Sequence, residues 1–546
     1  MTAIELVLAM LLAVVLSGVI VRALPFSLPL PILQIALGGV IAGVLHHGVV
    51  LEPAIFFLLF LPPLLFLDGW RIPKDDLFRD RWVILQLALG LVVFTVIGAG
   101  YLIHALIPAM PLAVAFALAA IVSPTDPVAV SSIASRAPVP KRLMHILEGE
   151  SLLNDASGLV CFQFAVAAAV TGTFSMRSAS LTFLWVALAG LAAGVAFTLA
   201  VTVVQHWWSR RFGEESGSSI LISLLIPFGA YLLAEQLQAS GILAAVAAGI
   251  TMSYTDLSGR SMPNTWIERS AVWSTIQFAL NGIMFVLLGE QLPNILSAAI
   301  AAMANETHHP RWVLAGYAIA IAAALAVLRL IWVWVSLQIN LRRQHRSESQ
   351  VGKVGWRLLC AISLAGVRGA VTLAGILTLP LLLPDGSAFP ARDLAIFLAA
   401  AVILISLVGA SLGLPALLKG LDVPDDSARV QAEDQARAAA ARAAVKAVKQ
   451  AENELLEHAD ADDPDIAANA ASRVIEVYQR RVHDGTQTAS DAQRLCKADA
   501  AERVLRLAGL GGEREAILAL RRQRKIGDET ARKLTREIDL LESRYR

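Results

Sequence analysis

Residues 112–133 read LAVAFALAAIVSPTDPVAVSSI. As a helix, a stretch of this length would reach about 33 Å, enough to cross the roughly 30 Å hydrocarbon core of a bilayer. Its one charge is Asp126. The middle of the run is Ser123-Pro124-Thr125-Asp126-Pro127, where two prolines lack backbone donors and bias the preceding residues away from helical geometry. A spanning segment broken at its centre strands peptide groups in hydrocarbon, which is tolerated only where protein or a water-lined cavity satisfies them. The stretch therefore predicts an all-α membrane protein with a binding site at the break.

The rest of the 546 residues agrees with this reading: 56% are hydrophobic, 16% are charged, and the mean hydropathy is +0.64. Twelve more apolar runs join the first, at 3–21, 28–45, 51–67, 83–107, 143–170, 181–204, 220–234, 241–252, 271–288, 312–337, 358–379 and 394–418. About thirteen transmembrane helices are expected, with the ninth run short for a span. Loops after odd-numbered runs carry seventeen Lys and Arg, against three, Arg177, Arg311 and Arg392, after even-numbered ones. Basic residues collect on the cytoplasmic side, so the N-terminus is expected outside and the C-terminus inside. The N-terminal run has Glu5 and no basic leader, and reads as a retained span.

Beyond residue 420 the composition changes. Residues 421–546 hold 22 of the 45 Lys and Arg and 24 of the 44 Asp and Glu. Two domains follow, a transmembrane domain over 1–420 and a charged helical cytosolic domain over 421–546, with helical runs at 427–458, 466–482, 491–507, 513–525 and 529–545 and breaks at Asp463-Pro464 and Gly511-Gly512. This tail suits regulation or dimer contact, and equally a solubilising appendage. Formal net charge is +1 and no long basic stripe carries aromatics, which excludes nucleic acid as a partner. Cys161, Cys360 and Cys496 are isolated in sequence, without a disulfide or metal-binding spacing. No cofactor is implied.

Thirteen runs divide as six, one and six, which makes paired runs antiparallel: an inverted 6+6 repeat. The twelfth run, partner of the fifth, is itself interrupted by Gly366-Val367-Arg368-Gly369-Ala370, and interrupted helices at matching places in two halves point to the binding site of such transporters. Measured along their helices, Asp155 lies about 18 Å into the sixth run, Arg368 about 15 Å into the twelfth and Asp126 about 21 Å into the fifth. All three fall near the midplane, where ionisable groups are functional candidates.

The sixth run contains Glu148-Gly149-Glu150-Ser151-Leu152-Leu153-Asn154-Asp155. Residues four apart share a helix face, so Ser151 accompanies Asp155 and Glu150 accompanies Asn154. A carboxylate, a hydroxyl and the free backbone oxygens near Thr125 make a hard-oxygen site for a small alkali cation, and the same carboxylate can hold a proton instead. Asp126 has two readings, a helix cap before Pro127 and an ion contact. Arg368, always charged, needs a carboxylate or helix-end carbonyls, with Glu150 the first candidate. Arg329, near the end of its run, reads as snorkelling to the interface. Asp68 reads as an interfacial charge or as part of an ion entry, Gln277 and Asn281 as interhelical hydrogen-bonders, and Glu290 and Glu235 as edge residues. Neither Asp126 nor Asp155 sits in the Tyr-Asp or Gly-x-Gly-Asp setting of intramembrane aspartyl proteases, so no enzyme is expected.

In order, Ser-Pro-Thr-Asp-Pro-Val-Ala-Val at 123–130, Gly-Glu-Ser-Leu-Leu-Asn-Asp-Ala at 149–156 and Gly-Val-Arg-Gly-Ala-Val at 366–371 resemble the monovalent cation:proton antiporter family, in its sodium/proton exchanger branch. The resemblance covers residues 1–420. It implies a homodimer whose fifth and twelfth spans unwind and cross, in a membrane expected to be the bacterial inner membrane, and exchange of Na+, or K+ or Li+, for H+. It further implies Asp155 as cation and proton carrier, Ser151 and the Thr125 backbone as further Na+ ligands, and Asn154 and Asp126 as site-shaping residues. Glu150 would pair with Arg368, and Asp68 would reach the ion path. Asn154 before Asp155, in place of two acids, resembles the electroneutral members.

Overall fold

In the structure of the chain, a computed structural model, residues 3–23, 29–45, 53–71, 84–126, 130, 141–172, 176–213, 215–257, 263–306, 312–344, 356–419, 427–458, 464–483 and 489–545 are described. Apart from one isolated bridge between Leu382 and Ala388, their regular structure is helical. The chain divides into two compact units, Met1–Leu421 and Asp422–Arg546.

The first unit comprises α1 (Ala3–Ala23), α2 (Leu30–Leu45), α3 (Pro53–Arg71), α4 (Val92–Leu106), α5 (Leu112–Val122), α6 (Lys141–Thr171), α7 (Met176–Phe212), α8 (Ser216–Gln236), α9 (Gly241–Leu257), α10 (Pro263–Glu306), α11 (Trp312–Gln344), α12 (Trp356–Leu364), α13 (Ala370–Leu377) and α14 (Arg392–Leu418). A π-helical turn, Gln86–Leu91, leads into α4. Among the described residues, seven helical stretches are long and apolar enough to cross a membrane, and three shorter apolar ones accompany them. A helix is what such sequences must form in lipid, because it satisfies its own peptide groups. Leu8, Val44, Leu225, Trp312 and Leu412 stand on the outside of the unit, where lipid takes the place of water.

The two interrupted runs end their helices at the anticipated places. α5 stops at Val122, directly before Ser123-Pro124-Thr125-Asp126, and the twelfth run splits into α12 and α13 around residues 365–369. The short ninth run extends to Leu257 and becomes a 17-residue helix.

Close helix approach depends on glycine at two crossings. A Cβ at Gly38 of α2 would meet the backbone carbonyl of Val286 in α10, and one at Gly289 of α10 that of Ile35 in α2. In the same reciprocal way, Gly69 of α3 faces the carbonyl of Val246 in α9, and Gly249 of α9 that of Phe66 in α3. Small residues at such interfaces let backbones touch where no hydrophobic drive separates helix from lipid. Around α5, a core of Val114, Ala115, Leu118, Ala119 and Ile121 packs fully buried beside Leu159, Phe162, Leu398 and Val402.

The second unit comprises α15 (Ser427–His458), α16 (Pro464–His483), α17 (Ala489–Arg522) and α18 (Asp528–Tyr545). α15 packs on α16, and α17 on α18. The break expected at Gly511-Gly512 does not occur: α17 is continuous through both. Glycine costs a helix only about 1 kcal/mol relative to alanine, and in the next turn Arg514 is held by Asp539 and Glu542 of α18. That pairing also raises the Arg514 guanidinium above its ordinary pKa. The expected break at Asp463-Pro464 coincides with Pro464 heading α16, the position where proline's missing N–H costs nothing.

Candidate functional site

Where α5 stops, its last carbonyls lack helical partners. Arg368 supplies one for Val122, Nε donating to Val122 O at 2.9 Å, and its Nη1 donates to Gly366 O, in the irregular stretch after α12, at 2.5 Å. Its backbone N–H donates to Ser406 Oγ of α14 at 3.2 Å. The two irregular stretches are joined directly, the N–H of Asp126 donating to Val367 O at 2.7 Å. The Asp126 carboxylate lies against Gly369, so close that a Cβ there would collide with it. Gly369 is the N-cap of α13, so a negative charge stands at the positive end of that helix, while the guanidinium meets the negative end of α5. The cap expected of Asp126, with Pro127 at the first helical position, falls outside the described residues.

The structure corrects the expected pairing of Glu150. Its partner is Arg329 of α11, which reaches it through both arms, Nη1 to Oε1 at 2.5 Å and Nη2 to Oε2 at 2.8 Å, and Arg329 Nε donates to Ile362 O at 3.2 Å. Glu150 is 0% and Arg329 2% exposed. Arg329 is therefore not a snorkelling residue, and Arg368 is held by carbonyls, the other partner anticipated for it. α11 runs to Gln344, about two turns beyond the apolar run that marks it in sequence, which sets Arg329 deeper than that run implies. From the pair a chain of hydrogen bonds leads inward: the Thr125 hydroxyl donates to Glu150 Oε1 at 3.3 Å and accepts from Asn154 Nδ2 at 3.0 Å. With its hydroxyl engaged on both sides, Thr125 has its backbone carbonyl to offer. Asn154 Oδ1 is buried without a hydrogen-bond partner among the described residues.

A cavity of about 30 Å³, room for one small cation or one to two waters, opens beside these groups. Asp155 and Ser151 of α6 line it with Thr125, Asp126, Asp68 of α3 and Thr372 of α13. The residues expected from the sequence thus divide: Asp155, Ser151, Thr125, Asp126 and Asp68 meet at the cavity, whereas Glu150, Asn154 and Arg368 stand behind it. Asp68 is not merely interfacial, since it faces the same space as Asp155. Gln277 and Asn281 of α10, expected only to join helices, line the cavity as well. Their spacing of four, one face of α10, was the signal in the sequence. Glu290, read as an edge residue, is buried.

α6 is braced at the carrier's level. Ser157 Oγ donates to Ala88 O at 2.8 Å, and Ala88 belongs to the π-turn before α4. In the same turn, Gln86 O accepts from Trp332 Nε1 at 3.0 Å and Gln86 Oε1 from Ser336 Oγ at 2.9 Å. Carbonyls loosened by the wider turn are thereby satisfied from α6 and α11.

The family model of the sodium/hydrogen exchanger transmembrane domain matches residues 8–420. The chain is 41% identical over 542 residues to the uncharacterized Na+/H+ exchanger YjcE of Escherichia coli, covering 98% of each chain. It is 39% identical to the sodium, potassium, lithium and rubidium/H+ antiporter of Bacillus subtilis, over 99% of this chain and 78% of that one. Among solved structures, the sodium proton antiporter MjNhaP1 of Methanocaldococcus jannaschii superposes with a TM-score of 0.57 at 17% identity, over 77% of this chain and 99% of that one, a likeness of fold.

Proposed function

The chain belongs to the sodium/hydrogen exchanger family, and from that premise we propose that it exchanges Na+ for H+ by alternating access, one for one, at the cavity between α3, α6 and the two interrupted helices. It is an integral membrane protein and a secondary active antiporter, not an enzyme. The observation that carries the site is the meeting of Asp155, Ser151 and Thr125 at one buried cavity where two helix backbones are broken.

Asp155 is the carrier. Its carboxylate holds either the cation, with the Ser151 hydroxyl and the Thr125 carbonyl completing an oxygen shell, or a proton. The other acids are committed elsewhere: Glu150 to Arg329, and Asp126 to the N-terminal end of α13. Asp68 lines the same cavity and is placed to draw the cation toward Asp155.

Thirteen spans in an inverted 6+6 repeat, with the fifth and twelfth crossing, form the proposed scaffold. If helices 1–6 match 8–13, with α12 and α13 together as the twelfth and α14 as the thirteenth, packing should recur in matched pairs. α2 on α10 is matched by α9 on α3, and α1 on α10 by α8 on α3. Likewise α1 on α2 corresponds to α8 on α9, and α4 on α6 to α11 on α14. The reciprocal glycines recur at the matched crossings, Gly38 with Gly289 and Gly249 with Gly69. The placement of the N-terminus outside and the C-terminal domain in the cytosol rests on the basic loops, and a homodimer in a bacterial plasma membrane on the family resemblance.

The test is proton flux in proteoliposomes after an imposed gradient of Na+, K+, Li+ or Rb+. Flux driven by at least Na+ is expected. A protein that responds to none of the four, or that conducts the cation without moving protons, would not be the exchanger described.

A further inference from the structure

Along α3 and α10 the groups at the cavity continue outward in a second layer. Asp68 and Asn281 face the cavity, and one turn on stand Arg71 of α3 and, on α10, Gln277 and then Ser274. Exposure rises along the same path: Asp155 is 7% exposed, Asp68 and Gln277 are half-buried, and Arg71 and Ser274 are exposed. From the cavity, the line of rising exposure passes Arg71. There the guanidinium bridges from α3 to α10, Nη1 donating to Gln277 Oε1 at 2.5 Å and Nη2 to Ser274 Oγ at 2.8 Å.

This is not the setting of a free surface arginine. The preceding residue is pinned, Trp70 Nε1 donating to Asp256 Oδ2 at 2.9 Å, and Asp256 is itself paired with the buried Arg269 at 2.9 Å. The end of α3 is thus clamped to α9 and α10, and Arg71 is held in place. Among the described residues, the charges that bear on Asp68 are the carboxylates of Asp126, Asp155 and Glu148 and the guanidinium of Arg71.

A fixed guanidinium one helical turn from Asp68 repels a cation approaching that carboxylate. We propose that Arg71 is a positioning residue that sets the apparent cation affinity: a tethered charge that compensates Asp68 in the empty cavity and competes with the incoming cation for it. The role rests on the exchange reading above. Arg329 and Arg368 cannot take this part, since both are buried and bound behind the cavity.

The experiment is sodium-driven proton flux in proteoliposomes for the wild type, Arg71→Gln, Arg71→Lys and Ser274→Asp, each first checked for folding by thermal melting. Removing one unit charge near a half-exposed carboxylate should lower the apparent KM for Na+ by about three- to tenfold, with the maximal rate close to that of the wild type. Arg71→Lys keeps the charge and should keep the KM. Ser274→Asp neutralises the guanidinium without removing it and should lower the KM as Arg71→Gln does, so it decides the matter if Arg71→Gln fails to fold. An unmoved KM in both charge-altering variants, or an Arg71→Lys variant that behaves like Arg71→Gln, would overturn the role and leave Arg71 a mechanical tether. A wild type without sodium-driven flux would overturn this role and the exchange reading together, whereas flux with an unmoved KM overturns this role alone.

Discussion

At the scale of single residues, the site separates an acid that exchanges from acids that are held. Asp155 lines the cavity with no hydrogen-bonding cation fixed to it among the described residues, whereas Glu150 is gripped by both arms of Arg329. Asp155→Asn should therefore abolish sodium-driven proton flux while the purified protein melts as a folded species, because an amide carries neither the proton nor the countercharge. Flux near the wild-type level in that variant would remove Asp155 as carrier. For the held acid, breaking one member of a buried pair costs about 3–5 kcal/mol. Glu150→Gln and Arg329→Gln should each lower thermal stability by that order, and the double variant should lose less than the sum of the two. The same cycle between Glu150 and Arg368 should come out closer to additive, since no hydrogen bond joins them; strong coupling there and none at Arg329 would reverse the assignment.

At the scale of elements, the helix ends and crossings carry the design. α5 stops where its Val122 carbonyl meets Arg368, which also holds the Gly366 carbonyl after α12, and α13 starts against Asp126. The crossings that hold these parts have little slack. Gly249→Val should cost about 1–3 kcal/mol of stability through overpacking, because what it meets is the Phe66 backbone, which has no other rotamer to adopt. Gly38→Val should cost a similar amount against the Val286 backbone. Gly43→Ala, also in α2, has open space around its Cβ position and should be neutral or slightly stabilising. Melting curves in detergent distinguish these outcomes, and equal losses at all three positions would refute the glycine crossings as the cause.

At the scale of the whole molecule, the count of exchanging charges decides what drives transport. One carboxylate that alternates between one proton and one sodium ion moves no net charge per cycle, and so cannot draw on a membrane potential worth about 2.3 kcal/mol per charge per 100 mV. With the voltage set by potassium and valinomycin, after checking that potassium is not itself cargo, the final proton distribution for a given sodium gradient should be the same at every potential. A shift with voltage would mean that a second acid exchanges, and Asp68, which shares the cavity, would be the first candidate.

Several of these features follow from the sequence alone, because they are set by the solvent and the chain. Membrane crossing follows from run length and hydropathy, since lipid offers peptide groups no partner other than their own helix. The breaks at Ser123-Pro124-Thr125-Asp126-Pro127 and around Arg368 follow from proline, glycine and a charge in the middle of apolar runs. Asp155 and Ser151 on one face follow from helical periodicity. Which cation meets which anion did not follow, because it depends on how deeply each helix is set against its neighbours. The apolar run marked where α11 is hydrophobic, not where it ends, so Arg329 appeared to lie at the interface when it is buried on Glu150. Asp68 reads from sequence as an interfacial charge or part of an ion entry, and Gln277 and Asn281 as interhelical hydrogen-bonders; only the packing of α3 on α6 and of α10 on α3 and α13 brings them to the same cavity. Periodicity fixes the face of a helix; the axial register between helices is a property of their packed surfaces, and only the tertiary structure decides it.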